Sequence, residues 1–106
     1  MATYLLIGSR DPFESKSADG FFDLAVGLAR DGHGVTVFLV QDGVLAARPS
    51  RVSDRLATMS AAKVEVLADE FSLRERGIDR LTAGVRAAPF DTVLDRMETG
   101  CKPLWH

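Results

Sequence analysis

Val35-Thr36-Val37-Phe38-Leu39-Val40 is a run of β-branched and aromatic residues with almost continuous apolarity. Such a run fits a strand buried on both faces of a parallel sheet, because a strand with one wet face would alternate apolar with polar. Punctuation surrounds it. Gly32-His33-Gly34 precedes it and reads as the stop of a helix, and Gln41-Asp42-Gly43 follows as a turn. Upstream, Phe21, Leu24, Ala25 and Leu28 recur at helical spacing. Farther back, Thr3 to Ile7 is a second short apolar run, closed by Gly8 and Ser9. A strand, a helix and a second buried strand form a βαβ unit, whose crossover is right-handed and whose strands are parallel.

The same alternation continues downstream. Val44 to Ala47 reads as a short helical turn broken by Pro49, and Ser50 or Ser53 can cap a helix with Val52, Leu56 and Met59 on one side. Val64 to Leu67 is a third strand, and Phe71 to Arg76 is a short helix closed by Gly77. Ile78 to Val85 fits neither period. Phe90, Val93, Leu94 and Met97 form a last amphipathic helix between Pro89 and Gly100, and Leu104-Trp105 suggests a closing strand. The expectation is one domain over residues 1–106: a three-layer α/β sandwich with flavodoxin-like layering and a mostly parallel sheet of about five strands. Ligands of such sheets sit beyond the C-terminal strand ends, here the loops Ser9 to Ser17, Gln41 to Val44 and Ala68 to Phe71.

Composition removes several classes of function. The 106 residues carry 13 basic and 15 acidic side chains, a net charge of −2, without blocks of either sign. Nucleic-acid binding and membrane-surface binding both need clustered Lys and Arg, so neither is expected. No apolar run approaches the roughly 20 residues that span a bilayer. Met1 to Gly8 has no basic leader and reads as a strand, not a signal peptide. The single cysteine, Cys101, forms no internal disulfide, which fits a reducing cytoplasm. A chain this short buries a smaller share of its surface than a large one, so oligomerisation is expected to add stability.

With these elements in place, four motifs resemble one family. "LARDGHGV" (28–35), "TVFLVQDGV" (36–44), "SLRERGI" (72–78) and "GV" (84–85) occur in the order found in DsrE/DsrF/DsrH-like proteins. These include sulfur-relay subunits of tRNA thiolation and sulfur oxidation. The resemblance implies a compact α/β fold and a homo-oligomer, trimer or hexamer, or a complex with DsrE-like paralogues. Relay members carry a cysteine just after the third strand. Here that stretch is Ala68-Asp69-Glu70-Phe71, with no thiol. The resemblance therefore implies a small subunit associated with sulfur relay or thiol metabolism, without the usual persulfide carrier, rather than a stand-alone enzyme.

Each candidate site residue has a functional and a bland reading. Cys101 is the one possible sulfur acceptor, with Lys102 favouring its thiolate, or else a small space-filling hydrophobe. Asp69 and Glu70 are either a carboxylate pair in the crevice or acids favourable at a helix start. Arg74 and Arg76 either grip an anion or pair on the surface. Asp42 joins the crevice or only shapes its turn. Ser9 and Arg10 could receive an anion near a helix start, but no G-x-G-x-x-G, G-K-[ST] or G-x-S-x-G accompanies them, so no dinucleotide, P-loop or hydrolase site is expected. His33 reads as a surface turn residue, and Leu104 and Trp105 as core or subunit seam. Two histidines, one cysteine and scattered carboxylates give no zinc spacing, and neither metal nor cofactor is expected. A small-ligand-binding module or a structural oligomer subunit is the alternative function.

Overall fold

The structure, a computed structural model, describes residues 2–13, 17–50 and 53–106. Its strands are β1 (Thr3–Gly8), β2 (Gly34–Leu39), β3 (Glu65–Asp69), β4 (Val85–Ala88) and β5 (Lys102–Trp105). The helices are α1 (Ala18–Arg30), α2 (Ser53–Ala61), α3 (Glu70–Glu75) and α4 (Asp91–Glu98), and a 3-10 helix, Gln41–Ala47, follows β2. The strands make one sheet in the order β4-β3-β2-β1-β5, and every neighbouring pair is parallel.

This order distributes the helices. The first three crossovers step in one direction across the sheet, so right-handedness puts α1, α2 and α3 on one face. The fourth returns across three strands to the far side of β1 and carries α4 on the opposite face. Side-chain alternation confirms the division. Leu6, Val37, Leu39, Val66 and Ala68 pack with Phe21, Phe22, Ala25, Leu56, Met59 and Leu73 in one core. Leu5, Ile7, Phe38 and Leu67 point the other way, onto Val93. β2 thus has apolar neighbours on both sides, as its sequence requires.

Several sequence readings meet the structure here. Ile78 to Val85 resolves into an irregular segment leading to β4, a four-residue edge strand too short and too Ala-rich to show a period. The third strand extends to Asp69, and the closing strand begins at Lys102. Ser53 is the first residue of α2, while Val52 lies outside the described residues, as does part of the Ser9 to Ser17 loop. Gly100 adopts φ +95°, and the Cys101 N–H reaches back to Arg96 O at 3.1 Å, closing α4 as a left-handed stop. His33 is half-buried rather than a plain surface residue. Its Nδ1 accepts the Ala2 N–H at 3.1 Å, and its ring meets Tyr4 edge-on. Leu104 and Trp105 are exposed, so they do not fill the core.

On the α4 face the apolar core gives way to an ionic network. Arg96 Nη1 donates to Glu65 Oε1 at 2.6 Å and to Thr36 Oγ1 at 2.9 Å, and Arg86 Nη2 donates to Glu65 Oε2 at 2.7 Å. The hydrogen bond from Arg96 holds the Glu65 carboxyl below the usual range against the opposing effect of burial, with Thr36 and Arg86 contributing. No helix among the described residues is long and apolar enough to cross a membrane.

Candidate functional site

Because all five strands run the same way, their C-terminal ends share one edge of the sheet. Two polar clusters lie along it. The first is built where β3 turns directly into α3. Asp69 ends the strand and caps the helix: its Oδ2 accepts the Ser72 N–H at 3.0 Å and the Ser72 hydroxyl at 2.7 Å. The Ser72 Oγ accepts the Gln41 N–H at 2.8 Å. Gln41 has φ +54°, a left-handed conformation uncommon for a residue with a side chain, and the Ser72 bond helps to hold it. Asp69 is only 4% exposed, and its Oδ1 is buried without a hydrogen-bond partner among the described residues. Leaving such an oxygen unpaired costs about 1–3 kcal/mol.

Arg76 links this cluster to the end of β2. Its Nε and Nη2 donate to Asp42 Oδ1 at 3.2 and 2.9 Å, and its Nη1 donates to Ser72 O at 3.3 Å. The arrangement depends on Gly43. A Cβ built there would lie 2.1 Å from Gly8 O, so only glycine lets the 3-10 helix press against the end of β1.

At the β1–β5 end sits the second cluster. The Ser9 N–H and hydroxyl donate to His106 O at 3.2 and 3.0 Å, and Trp105 Nε1 donates to Ser9 Oγ at 3.2 Å. The His106 ring stacks on Phe21, with centroids 4.9 Å apart, and its Nε2 lies 2.9 Å from Ser17 Oγ. Burial, assisted by Arg10, holds His106 below the usual imidazole range. Phe21, Leu24, Leu104 and Trp105 wall a cavity of about 310 Å³ beside it.

Of the residues expected at the crevice, Asp42 and Arg76 form a pair, and Asp69 joins them through Ser72. Ser9 belongs to the second cluster. Glu70 opens α3, half-buried, and Arg74 is exposed on the same helix; neither side chain forms a hydrogen bond or ion pair among the described residues. Cys101 lies elsewhere. It precedes β5, whose Lys102 is level with Tyr4, so it sits at the N-terminal edge of the sheet, about 16 Å by strand rise from the crevice. There it is partly buried against the α4-side core. Among the described residues, no group of three His, Cys, Asp or Glu could hold a metal.

Sequence reading missed Ser72, Gln41 and His106. Ser72 had a signal: Asp-x-x-Ser at a strand-to-helix junction is a capping pattern. Gln41 and His106 had none, since a left-handed glutamine and a stacked histidine are products of contacts distant in the chain.

A family model described as the DsrE/DsrF-like family matches residues 2–102. No curated protein matches the sequence. Among solved structures, the YchN protein from E. coli superposes with a TM-score of 0.91 at 21% identity, covering 100% of both chains. A protein of unknown function, MTH1491 from Methanobacterium thermoautotrophicum, gives 0.82 at 19% identity, over 97% of this chain and 99% of that one. BT1422 from Bacteroides thetaiotaomicron, a conserved protein of unknown function, gives 0.80 at 15%, over 97% and 94%. At these identities the likeness speaks for the fold alone.

Proposed function

Since the chain belongs to the DsrE/DsrF-like family, we propose that it is an oligomeric accessory subunit of intracellular sulfur relay that does not itself carry persulfide. One observation carries this reading. At the end of β3, where relay members of the family bear their cysteine, this chain has a buried carboxylate locked into a helix cap. A carboxylate oxygen can accept a hydrogen bond but cannot form the S–S bond that holds a transferred sulfur. Cys101, the only thiol in the sequence, lies at the opposite edge of the sheet.

The assembly half of the reading rests on α4. Phe90, Leu94 and Met97 stand at i, i+4 and i+7, so they form one stripe, and they are 40%, 54% and 45% exposed. An apolar stripe on a short helix that alone covers one face of a sheet is suited to burial against another subunit. Self-assembly or docking to a cysteine-bearing paralogue would both use it.

Intact mass after exposure to a persulfide donor tests the chemistry, and light scattering tests the assembly. The expected result is no sulfur added to the wild type, and an oligomer that Leu94→Asp dissociates. Sulfur added to the wild type but not to Cys101→Ala would overturn the accessory role. A monomeric wild type that also fails to bind any paralogue would overturn the assembly.

A further inference from the structure

We propose that a cavity of about 210 Å³ between the end of the 3-10 helix and the loop after α3 is a binding site for a tetrahedral oxyanion, held by Arg48, Arg76 and Arg80. Its other lining residues are Pro49, Gly77, Ile78 and Asp79, so three guanidinium groups share the space with one carboxylate. Arg76 is already paired with Asp42, so the positive charge without an ion-pair partner among the described residues comes from Arg48 and Arg80.

The three arginines are prepared in different ways. Arg76 is already oriented. Three of its five N–H groups are committed to Asp42 and to Ser72 O, and the remaining two are available to a ligand. Glu75 Oε1, at 3.8 Å from Nη1, is beyond hydrogen-bond distance. Arg48 and Arg80 are exposed and have no ion-pair partner among the described residues. The walls are backbone-fixed: Thr82 N–H donates to Ala47 O at 2.8 Å, Ile78 N–H donates to Leu73 O at 2.9 Å, and Pro49 stiffens the other side. The cavity is therefore present before a ligand arrives, which lowers the ordering cost of binding.

The donor set selects the ligand class. Guanidinium forks match pairs of oxygens on an oxyanion. A planar carboxylate engages one fork fully, whereas a tetrahedral group has oxygens for more than one fork. Phosphate, sulfate and thiosulfate share this chemistry, either free or as the terminal group of a small molecule. The site does not depend on the sulfur-relay reading, since none of its residues enters that argument through a thiol.

Calorimetric titration with sodium phosphate, sodium sulfate and sodium thiosulfate, at ionic strength held constant with chloride, tests the proposal. The wild type should bind at least one of the three. Arg48→Ala/Arg80→Ala should bind about tenfold more weakly or worse, the consequence of losing charge-assisted hydrogen bonds. Arg74→Ala, nearby but outside the cavity, should bind like the wild type. Both altered arginines are exposed, so the unliganded melting temperature should not move; if it does, the single variants Arg48→Ala and Arg80→Ala take its place. The ranking of the three anions distinguishes a phosphate source from a sulfur oxyanion source. No binding of any anion by the wild type, undiminished binding by the double and single variants, or an equal loss in Arg74→Ala would overturn it.

Discussion

The two faces of the sheet are built from different materials. One is covered by α1, α2, α3 and the 3-10 helix and sealed by a continuous apolar core, from Phe21 and Phe22 at one end to Leu73 and Val85 at the other. The other carries α4 alone. Its core is smaller, centred on Phe38 and Val93, and beside it lies the Thr36–Glu65–Arg96–Arg86 network. The first face behaves like the interior of a finished protein. The second holds its helix through Val93 and the Arg96–Glu65 pair and leaves Phe90, Leu94 and Met97 exposed. A chain can thus spend its strongest hydrophobic pattern on one face of its sheet while leaving apolar side chains exposed on the other.

The largest test of this contrast is a pair of truncations. Leu56→Ala, at a fully buried position of the three-helix face, should cost about 3–4 kcal/mol by denaturant unfolding. Val93→Ala, the anchor of α4, should cost about 2 kcal/mol. Because Leu56→Ala removes three carbons and Val93→Ala two, a loss per carbon larger at Val93 than at Leu56 would break the comparison, since α4 would then be the more firmly seated helix.

Arg96→Ala addresses the ionic half. Both partners are about a third exposed, so removing Arg96 should cost about 1 kcal/mol, well below the loss for a fully buried pair. Its pH signature is more specific. The Glu65 carboxyl is lowered on folding, so its contribution is fully present above the ordinary glutamate value and is lost as pH falls through the lowered folded one. Stability of the wild type should therefore decline below about pH 4.5, and that decline should be shallower in Arg96→Ala. Identical acid limbs in pH-resolved unfolding curves would remove the network from the account of this face.

His106 supplies the smallest effect, and it belongs to the other face through its stacking on Phe21. Its imidazole is lowered on folding, so it stabilises above the ordinary histidine value and the contribution disappears as pH falls below it. His106→Phe should keep the stacking and remove the loss of stability that begins as pH falls below about 6.5. An NMR titration of the imidazole checks the direction independently.

How much was legible depended on whether the determining contacts were local. The 35–40 run announced a doubly buried strand because every residue in it is apolar or β-branched, and β2 lies between β1 and β3. The glycine stops at Gly32, Gly77 and Gly100 were equally plain, and all three have positive φ. β4 was illegible because an edge strand of four residues, half of them exposed, has no period to read. The crevice was only partly legible. The parallel-sheet rule located Asp42 and Asp69 at strand ends, with Arg76 on the short helix that follows, but nothing in the sequence joined Asp42 to Arg76, 34 positions away, or placed Arg48 beside Arg80.

By itself, then, the sequence determined the succession of strands and helices, the parallel βαβ connections, the family resemblance and the absence of a thiol after β3. These follow from short-range periodicity, turn chemistry and residue identity. The tertiary structure alone decided that α4 stands by itself on one face, that Cys101 sits at the opposite edge from the crevice, and that Arg48 shares a cavity with Arg76 and Arg80. Those outcomes depend on strand order and on the direction of the last crossover, which are set by packing among residues far apart in the chain and leave no local mark.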